Sequence, residues 1–162
     1  MSQRLSTAGV TLSYCVESTA GTRPTSGYTI VNEVKSTPST NPEPNSIDVT
    51  PLQELYNVLY IAGLKDLGGV LSFNANCTDD VITEWNTTLI SAYNTGQAAT
   101  PAKDTWFCIS HPKLSQAVFF KGQPEVLTGF NELSVNAALE TTFYIAPQSS
   151  MEFQAAPTFA GA

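Results

Sequence analysis

Short runs in which apolar and polar residues alternate are the feature that most constrains the fold of this chain. A period of two places successive side chains on opposite faces of a β-strand. The longest such run covers residues 131–146, where apolar residues from Leu133 to Ile145 alternate with mostly polar ones. Further strands are predicted at residues 10–17, 28–36, 69–78, 105–111 and 116–122, the last two joined as a hairpin. The chain is therefore expected to be mainly β.

One helix is predicted over residues 79–94, with Thr78 as a candidate cap of its first turn. Val81, Trp85 and Leu89 recur at a spacing of four residues. That spacing gathers the three side chains on one face of a helix. They are the candidate core residues of the helix, and they are expected to pack on the outer surface of a sheet.

A long excursion follows the second predicted strand. Residues 37–67 begin with three prolines among Ser, Thr and Asn, and apolar residues then follow without a sustained period. Proline keeps a chain extended, and irregular excursions of this length are typically functional or packed on another molecule. The segment is therefore predicted to be an extended contact loop. Its candidate contact residues are Pro38, Pro42, Pro44, Ile47, Val49, Leu52 and Leu55.

These elements predict a single domain over residues 1–162. Its expected fold class is mainly β, with two packed β-sheets that form a sandwich or a partly open barrel, and with one flanking helix. Three segments lie outside this framework: an N-terminal arm at 1–9, the long loop at 37–67 and a C-terminal tail at 148–162.

The charge of the chain is low and acidic. Charged residues make up 13% of the sequence, and the formal net charge is −7. Such a chain is not expected to grip the phosphates of DNA or of an anionic membrane. A low charge density also suggests that much of the surface is covered by copies of the same chain.

Membrane insertion and secretion are not expected, because the sequence has no apolar run of about 20 residues and no apolar signal segment near its beginning. Synthesis in a reducing cytoplasm is therefore expected. Cys15, Cys77 and Cys108 are then predicted to be reduced thiols rather than a disulfide framework.

The carboxylates of Asp79, Asp80 and Glu84 are better explained by stabilisation of a helix start than by acid–base chemistry. A second candidate for catalytic chemistry is the pair Cys108 and His111. Residues three apart on a strand point to opposite faces, so these two cannot act together. A zinc site needs about four ligands, and the neighbouring sequence offers no others. The chain is therefore predicted not to be an enzyme, and no metal or cofactor is expected.

Five segments of residues 9–147 occur in a characteristic order: GVTLSYCVESTAGTRPTSGYTIV, STPSTNPEPNSIDVTPL, IAGLKDLGGVLSFNAN, the helix with Trp85, and NELSVNAALETTFYIAP. In this order they resemble the major tail (tail tube) proteins of long-tailed, non-contractile bacteriophages of Firmicutes. The resemblance implies a structural virion protein whose hexameric rings stack into a hollow tail tube for DNA ejection. It implies that the sheets of neighbouring subunits join around the lumen and that the long loop reaches the next ring.

The resemblance also implies partners: further copies of the chain, the tail terminator, the tape measure protein, the baseplate or tip, and DNA that passes through without specific binding. If sheets line the lumen, the polar face of the strand at 131–146 is the candidate lining. Its residues are Glu132, Ser134, Asn136 and Glu140. The carboxylates of Glu132 and Glu140 would repel the DNA backbone.

Several other functions remain open at this point. The chain could form the tube of a contractile particle or of a secretion device. It could be a head, tail-tip or other accessory module with a β-sandwich fold. A small-molecule-binding barrel or an enzyme is the least favoured, because no set of titratable residues converges.

Overall fold

The computed structural model describes residues 4–161 and confirms the mainly β fold class with one helix. Most strands belong to one large curled sheet with the order β11-β2-β1-β7-β8-β9-β6-β3, to which β10 adds by pairing with β8. A separate small sheet consists of β4 and β5. The strands are β1 (Thr11–Val16), β2 (Ser26–Val31), β3 (Val34–Ser36), β4 (Pro44–Asp48), β5 (Tyr60–Lys65), β6 (Leu71–Asn76), β7 (Thr105–Ser110), β8 (Gln116–Pro124), β9 (Glu140–Pro147), β10 (Glu152–Ala155) and β11 (Thr158–Phe159).

Strand β8 connects the two halves of the large sheet. Its first part pairs with β7, and its last three residues, from Gly122, pair with β9. Gly122 lies at this change of partner, where a Cβ atom would stand 2.5 Å from Ile145 Cγ2 and 3.0 Å from the Phe107 ring. The absence of a side chain therefore allows the two halves to approach each other.

The main core lies where the halves face each other. Leu12 and Tyr14 of β1 belong to the same buried cluster as Phe73 of β6 and Phe143 of β9. A second cluster contains Tyr28, Trp106, Cys108, Ala117 and Phe119. Alternation explains the pair of clusters, because Phe107 and Phe120 are in the first while their neighbours Trp106 and Phe119 are in the second.

Helix α1 (residues 79–98) packs onto the main core. It starts as an α-helix over Asp79–Thr83, contains a π-helical segment over Glu84–Leu89, and continues as an α-helix over Ile90–Ala98. Thr78 caps it by accepting a hydrogen bond from the Val81 amide (3.2 Å). The sequence had suggested that the helix packs on the outer surface of a sheet. Its buried residues Val81, Trp85 and Leu89 instead belong to the main cluster, so the helix covers the inner face of the curled sheet.

Two predicted strands differ from those observed. The run at 28–36 is divided at Asn32 and Glu33, where Glu33 has a φ of 65°, so β2 and β3 join opposite ends of the large sheet. The run at 131–146 becomes a strand only from Glu140. Residues 131–139 form an irregular loop in which Asn136 has a φ of 62°. The sequence period continues across both residues, but the left-handed backbone interrupts the ladder after β2 at Glu33 and turns the chain at Asn136 before β9 begins.

The long loop and the tail are also more ordered than predicted. Residues 37–67 are not a wholly extended loop, because Pro44–Asp48 and Tyr60–Lys65 pair as an antiparallel hairpin. The tail at 148–162 supplies β10 and β11, of which β11 runs parallel to β2. Residues 1–3 of the predicted arm at 1–9 and residue 162 of the tail lie outside the described residues.

Candidate assembly surfaces

The hairpin β4–β5 and its tip carry a dense group of exposed apolar side chains. Its two strands pair only with each other among the described residues. Gly63 lies at a close approach, where a Cβ atom would be 3.1 Å from the Asn45 carbonyl oxygen. Large apolar side chains that are at least 44% exposed follow one another along it: Ile47, Val49, Leu52, Leu55, Tyr56, Val58, Leu59, Tyr60, Ile61 and Leu64.

The tip of the hairpin has an ordered backbone. The Asp48 carboxylate accepts hydrogen bonds from the amide (2.9 Å) and hydroxyl (2.6 Å) of Thr50, and these bonds lower the pKa of Asp48. The Glu54 carboxylate accepts from the amides of Tyr56 (3.0 Å) and Asn57 (3.2 Å). Side-chain bonds of this kind stabilise turns. The exposed apolar residues are therefore presented on a defined surface.

The predicted contact residues fall at different depths along this segment. Pro38 and Pro42 are half-buried near the base of the hairpin, and Pro44 is the first residue of β4. Ile47 is in β4, and Val49, Leu52 and Leu55 lie beyond it toward the tip. Leu52 is fully exposed and Leu55 is 80% exposed. Their role in contacts between rings stays a proposal.

The predicted lumen residues do not share one face of a strand. Glu132, Ser134 and Asn136 lie in the irregular loop, and Glu140 is the first residue of β9. The Glu140 carboxylate forms a salt bridge with Lys35 of β3. The premise of a continuous polar strand is wrong, because the chain turns at Asn136 before the strand begins.

The irregular loop before β9 is the second exposed apolar surface, which sequence reasoning missed because the period there is that of a strand. The Asn131 amide donates to the Glu140 carbonyl (2.9 Å) and closes the base of the loop. Leu133 is 65% exposed and Val135 is 90% exposed. The apolar half of the alternation therefore faces solvent in the isolated subunit.

A groove of about 450 Å³ separates the base of the hairpin from strand β10. Pro42, Lys65 and Leu67 lie on the hairpin side, and Val118, Met151 and Phe153 lie on the other. All four residues of β10 are exposed. Nothing in the sequence indicated this groove, since it forms between segments that are far apart along the chain.

The core residues of the helix are held by specific contacts. Val81, Trp85 and Leu89 are each at most 3% exposed. The Trp85 indole nitrogen donates to the Glu125 carbonyl (2.7 Å). The Asn86 side chain exchanges two hydrogen bonds with the backbone of Leu127, 3.1 and 2.8 Å long. These bonds attach the segment after β8 to the helix.

Cys108, His111 and Glu17 are each buried or hydrogen-bonded within the fold. Cys108 is buried, and desolvation raises the pKa of its thiol to about 11, which disfavours a nucleophilic thiolate. His111 contacts the Ser6 carbonyl through Nε2 (2.9 Å) and accepts from the Lys113 amide through Nδ1 (3.1 Å). The buried carboxylate of Glu17 accepts from the Trp106 indole nitrogen (2.8 Å).

Across residues 4–161, no three His, Cys, Asp or Glu side chains form a group that could hold a metal ion. No helix in that range is long and apolar enough to cross a membrane.

The comparisons with known proteins agree with this architecture. No family model matches the chain, and no curated protein does. Among solved structures, a chain of the six-fold symmetrised anti-feeding prophage baseplate matches with a TM-score of 0.61 and 9% identity, covering 96% of this chain and 98% of that one. The fold is that of this particle component.

A chain of the anti-feeding prophage cap, which terminates its tube, has the same fold as well. Its TM-score is 0.56 at 9% identity, with 96% of this chain and 94% of that chain covered. At this identity the likeness concerns the fold alone. It extends over nearly the whole of each chain.

Proposed function

We propose that this chain is a structural protein of a phage-type tail, whose copies form hexameric rings that stack into the tail tube. The observation that carries the proposal is the β4–β5 hairpin with its continuous exposed apolar surface. The fold likeness supports it, because the similar chains belong to a baseplate and to a tube cap.

An isolated subunit gives the hairpin no apolar partner. Monomeric soluble proteins rarely expose contiguous apolar patches larger than a few hundred Å², whereas Leu52, Leu55 and Tyr56 alone are at least 80% exposed. Burial of such side chains is favourable by about 1.5–3 kcal/mol each. A second copy of the chain, in the neighbouring ring, is the proposed partner of the hairpin.

The acidic character of the chain fits a conduit for DNA. With 7 basic and 14 acidic residues, the assembled surface has little capacity for the salt-dependent phosphate binding that Lys and Arg produce. The proposed partners are the tail terminator, the tape measure protein, the baseplate or tip, and DNA in transit. The proposed location is the virion tail, after synthesis in the host cytoplasm.

A second candidate function is a ring at one end of a tube. The observation that favours it is that the two similar chains come from a baseplate and a terminating cap. Such a ring would use the same fold and six-fold symmetry but would stop after one or two layers. A tube protein of a contractile particle or of a secretion device is a further form of the same proposal.

Electron microscopy and sedimentation velocity of the purified chain test these functions together. Hollow tubes of variable length support the tail tube, and discrete rings that never elongate support the end component. A chain that stays monomeric at high concentration, with and without added tail initiator complexes, contradicts both. A concentration series separates weak assembly from none, because polymerisation rises steeply with subunit concentration.

A further inference from the structure

Strand β10 has one open edge. It pairs with β8 in the register Glu152↔Phe119 to Ala155↔Gln116, and the next amide along, that of Ala156, donates to the Ser115 carbonyl (3.0 Å). Hydrogen-bonded pairs alternate along an antiparallel ladder. Phe153 and Ala155 therefore direct their backbone amides and carbonyls away from β8, where no other described strand pairs with them.

Residues of β10 also line the groove at the base of the hairpin. Phe153 is 66% exposed and lies beside Val118, its cross-strand neighbour, with Met151 and Leu67 also lining the groove. An edge with free backbone groups and an adjacent apolar groove is the arrangement that accepts an added strand. The volume of about 450 Å³ has room for several side chains.

Residues 131–135 of the same chain are patterned as a strand but pair with no other described strand. They have the sequence period of a strand, with Leu133 and Val135 on one face and Glu132 and Ser134 on the other, yet they belong to no ladder. Asn131 fixes their base through its bond to Glu140. A local pattern that the subunit leaves unsatisfied indicates a partner outside it.

We propose that residues 131–135 of one copy add as a strand to the open edge of β10 in a second copy. In this arrangement Leu133 and Val135 extend the apolar face of Phe153 and Val118. The charged residues along the groove are Lys65 and Glu152, and Glu132 and Ser134 lie on the opposite face of the added strand. The proposal rests on the self-assembly proposed above and names one of its contacts.

The contact has to join different copies. Residues 131–135 precede β9 and β10 follows it, so the eight residues of β9 (Glu140–Pro147) separate them. A strand of that length spans about 25 Å at roughly 3.3 Å per residue. A contact between two different surfaces of identical chains is heterologous, and it generates a ring or a filament.

Disulfide trapping between two differently tagged chains tests the contact. One chain carries Phe153→Cys, and the other carries Leu133→Cys or Val135→Cys, all at exposed positions. The matched control replaces the second chain by Thr87→Cys, on the exposed side of the helix. The parental chain, with its three native cysteines, measures the background. Mild oxidation should give about tenfold more mixed dimer from the proposed pairs than from the control, because docking raises the effective concentration of the thiols.

A backbone variant examines the strand addition itself. Ala155→Pro, introduced into the Phe153→Cys chain, removes an outward amide and leaves the bonds to β8 in place. It should reduce the trapped dimer to the control level, whereas Ala155→Ser, which keeps the amide, should not. Equal trapping in the proposed and control pairs, or trapping that Ala155→Pro leaves unchanged, would overturn the proposal.

The outcome is independent of whether tubes form. Tubes without specific trapping would leave the tail tube proposal standing and refute the β10 contact. Specific trapping without tubes would support the contact and count against the tube. Neither tubes nor trapping would refute both.

Discussion

Trp85 of the helix lies parallel to Phe143 of β9, with their ring centroids 4.2 Å apart and their planes inclined by 10°. Both side chains are almost fully buried. The stacked pair connects the helix to the half of the sheet formed by β9 and β6, and the Trp85 indole bond to Glu125 connects it to the segment that follows β8. One residue therefore joins three parts of the fold.

Trp85→Ala should lower the free energy of unfolding by about 3–5 kcal/mol, as other removals of large core aromatics do. Chemical denaturation of the purified variant measures the change. Trp85→Phe keeps the stacking and loses the indole bond, so its loss should be clearly smaller. If Trp85→Ala unfolded at the wild-type denaturant concentration, the packing described here would be incorrect.

Gly122→Ala should destabilise the fold by about 1–3 kcal/mol, because the added methyl group overpacks the contact with Ile145 and Phe107. Gly129→Ala is the matched control, since nothing lies within 4 Å of the position of its Cβ atom. Thermal unfolding of the two variants should separate them. An equal melting temperature for both would contradict the close approach of Ile145 and Phe107 to Gly122.

Leu52→Asp combined with Leu55→Asp should abolish assembly and leave the subunit folded. Both side chains are exposed, so stability should change by no more than about 0.5 kcal/mol. Sedimentation velocity and circular dichroism measure the two properties. Leu114→Asp, at a position 49% exposed between β7 and β8, controls for added charge. Normal assembly of the tip variant would remove the hairpin from the proposed interface.

Glu84→Gln should change the pH dependence of stability. Burial raises the pKa of Glu84, and the hydrogen bond from Asn32 opposes this more weakly. A raised pKa means that the folded state favours the protonated carboxyl, so its stabilising contribution is present at acid pH and is lost as the pH rises through that pKa. The variant should therefore gain melting temperature relative to wild type near pH 7 and lose that advantage below about pH 4. A constant difference across this range would contradict the assignment.

Cys108 should resist thiol reagents in the folded protein. It is fully buried, and desolvation raises its pKa to about 11, so little thiolate is present at pH 8. Cys15 and Cys77 are half-buried and should react faster. Labelling with and without denaturant should show a slow thiol that disappears in Cys108→Ser. Rapid reaction of all three thiols in the native chain would contradict the burial of β7.

The sequence alone was sufficient for the local elements. Alternation located β1, β6 and the β7–β8 hairpin, because a half-buried strand needs a period of two. The four-residue spacing of Val81, Trp85 and Leu89 marked one face of a helix, because a helix repeats about every 3.6 residues. All three residues are buried.

Tertiary structure decided which patterned segments became strands. Residues 131–139 have the period of a strand but find no partner edge within their own subunit, and the left-handed backbone at Asn136 turns the chain before β9. Pro44–Asp48 lacks a clear period, yet it pairs with Tyr60–Lys65, because a ladder depends on backbone groups that every residue but proline carries in full. The groove beside β10 likewise joins residues far apart along the chain. A sequence period specifies which faces a segment can offer, and only the folded chain determines which of those faces is covered.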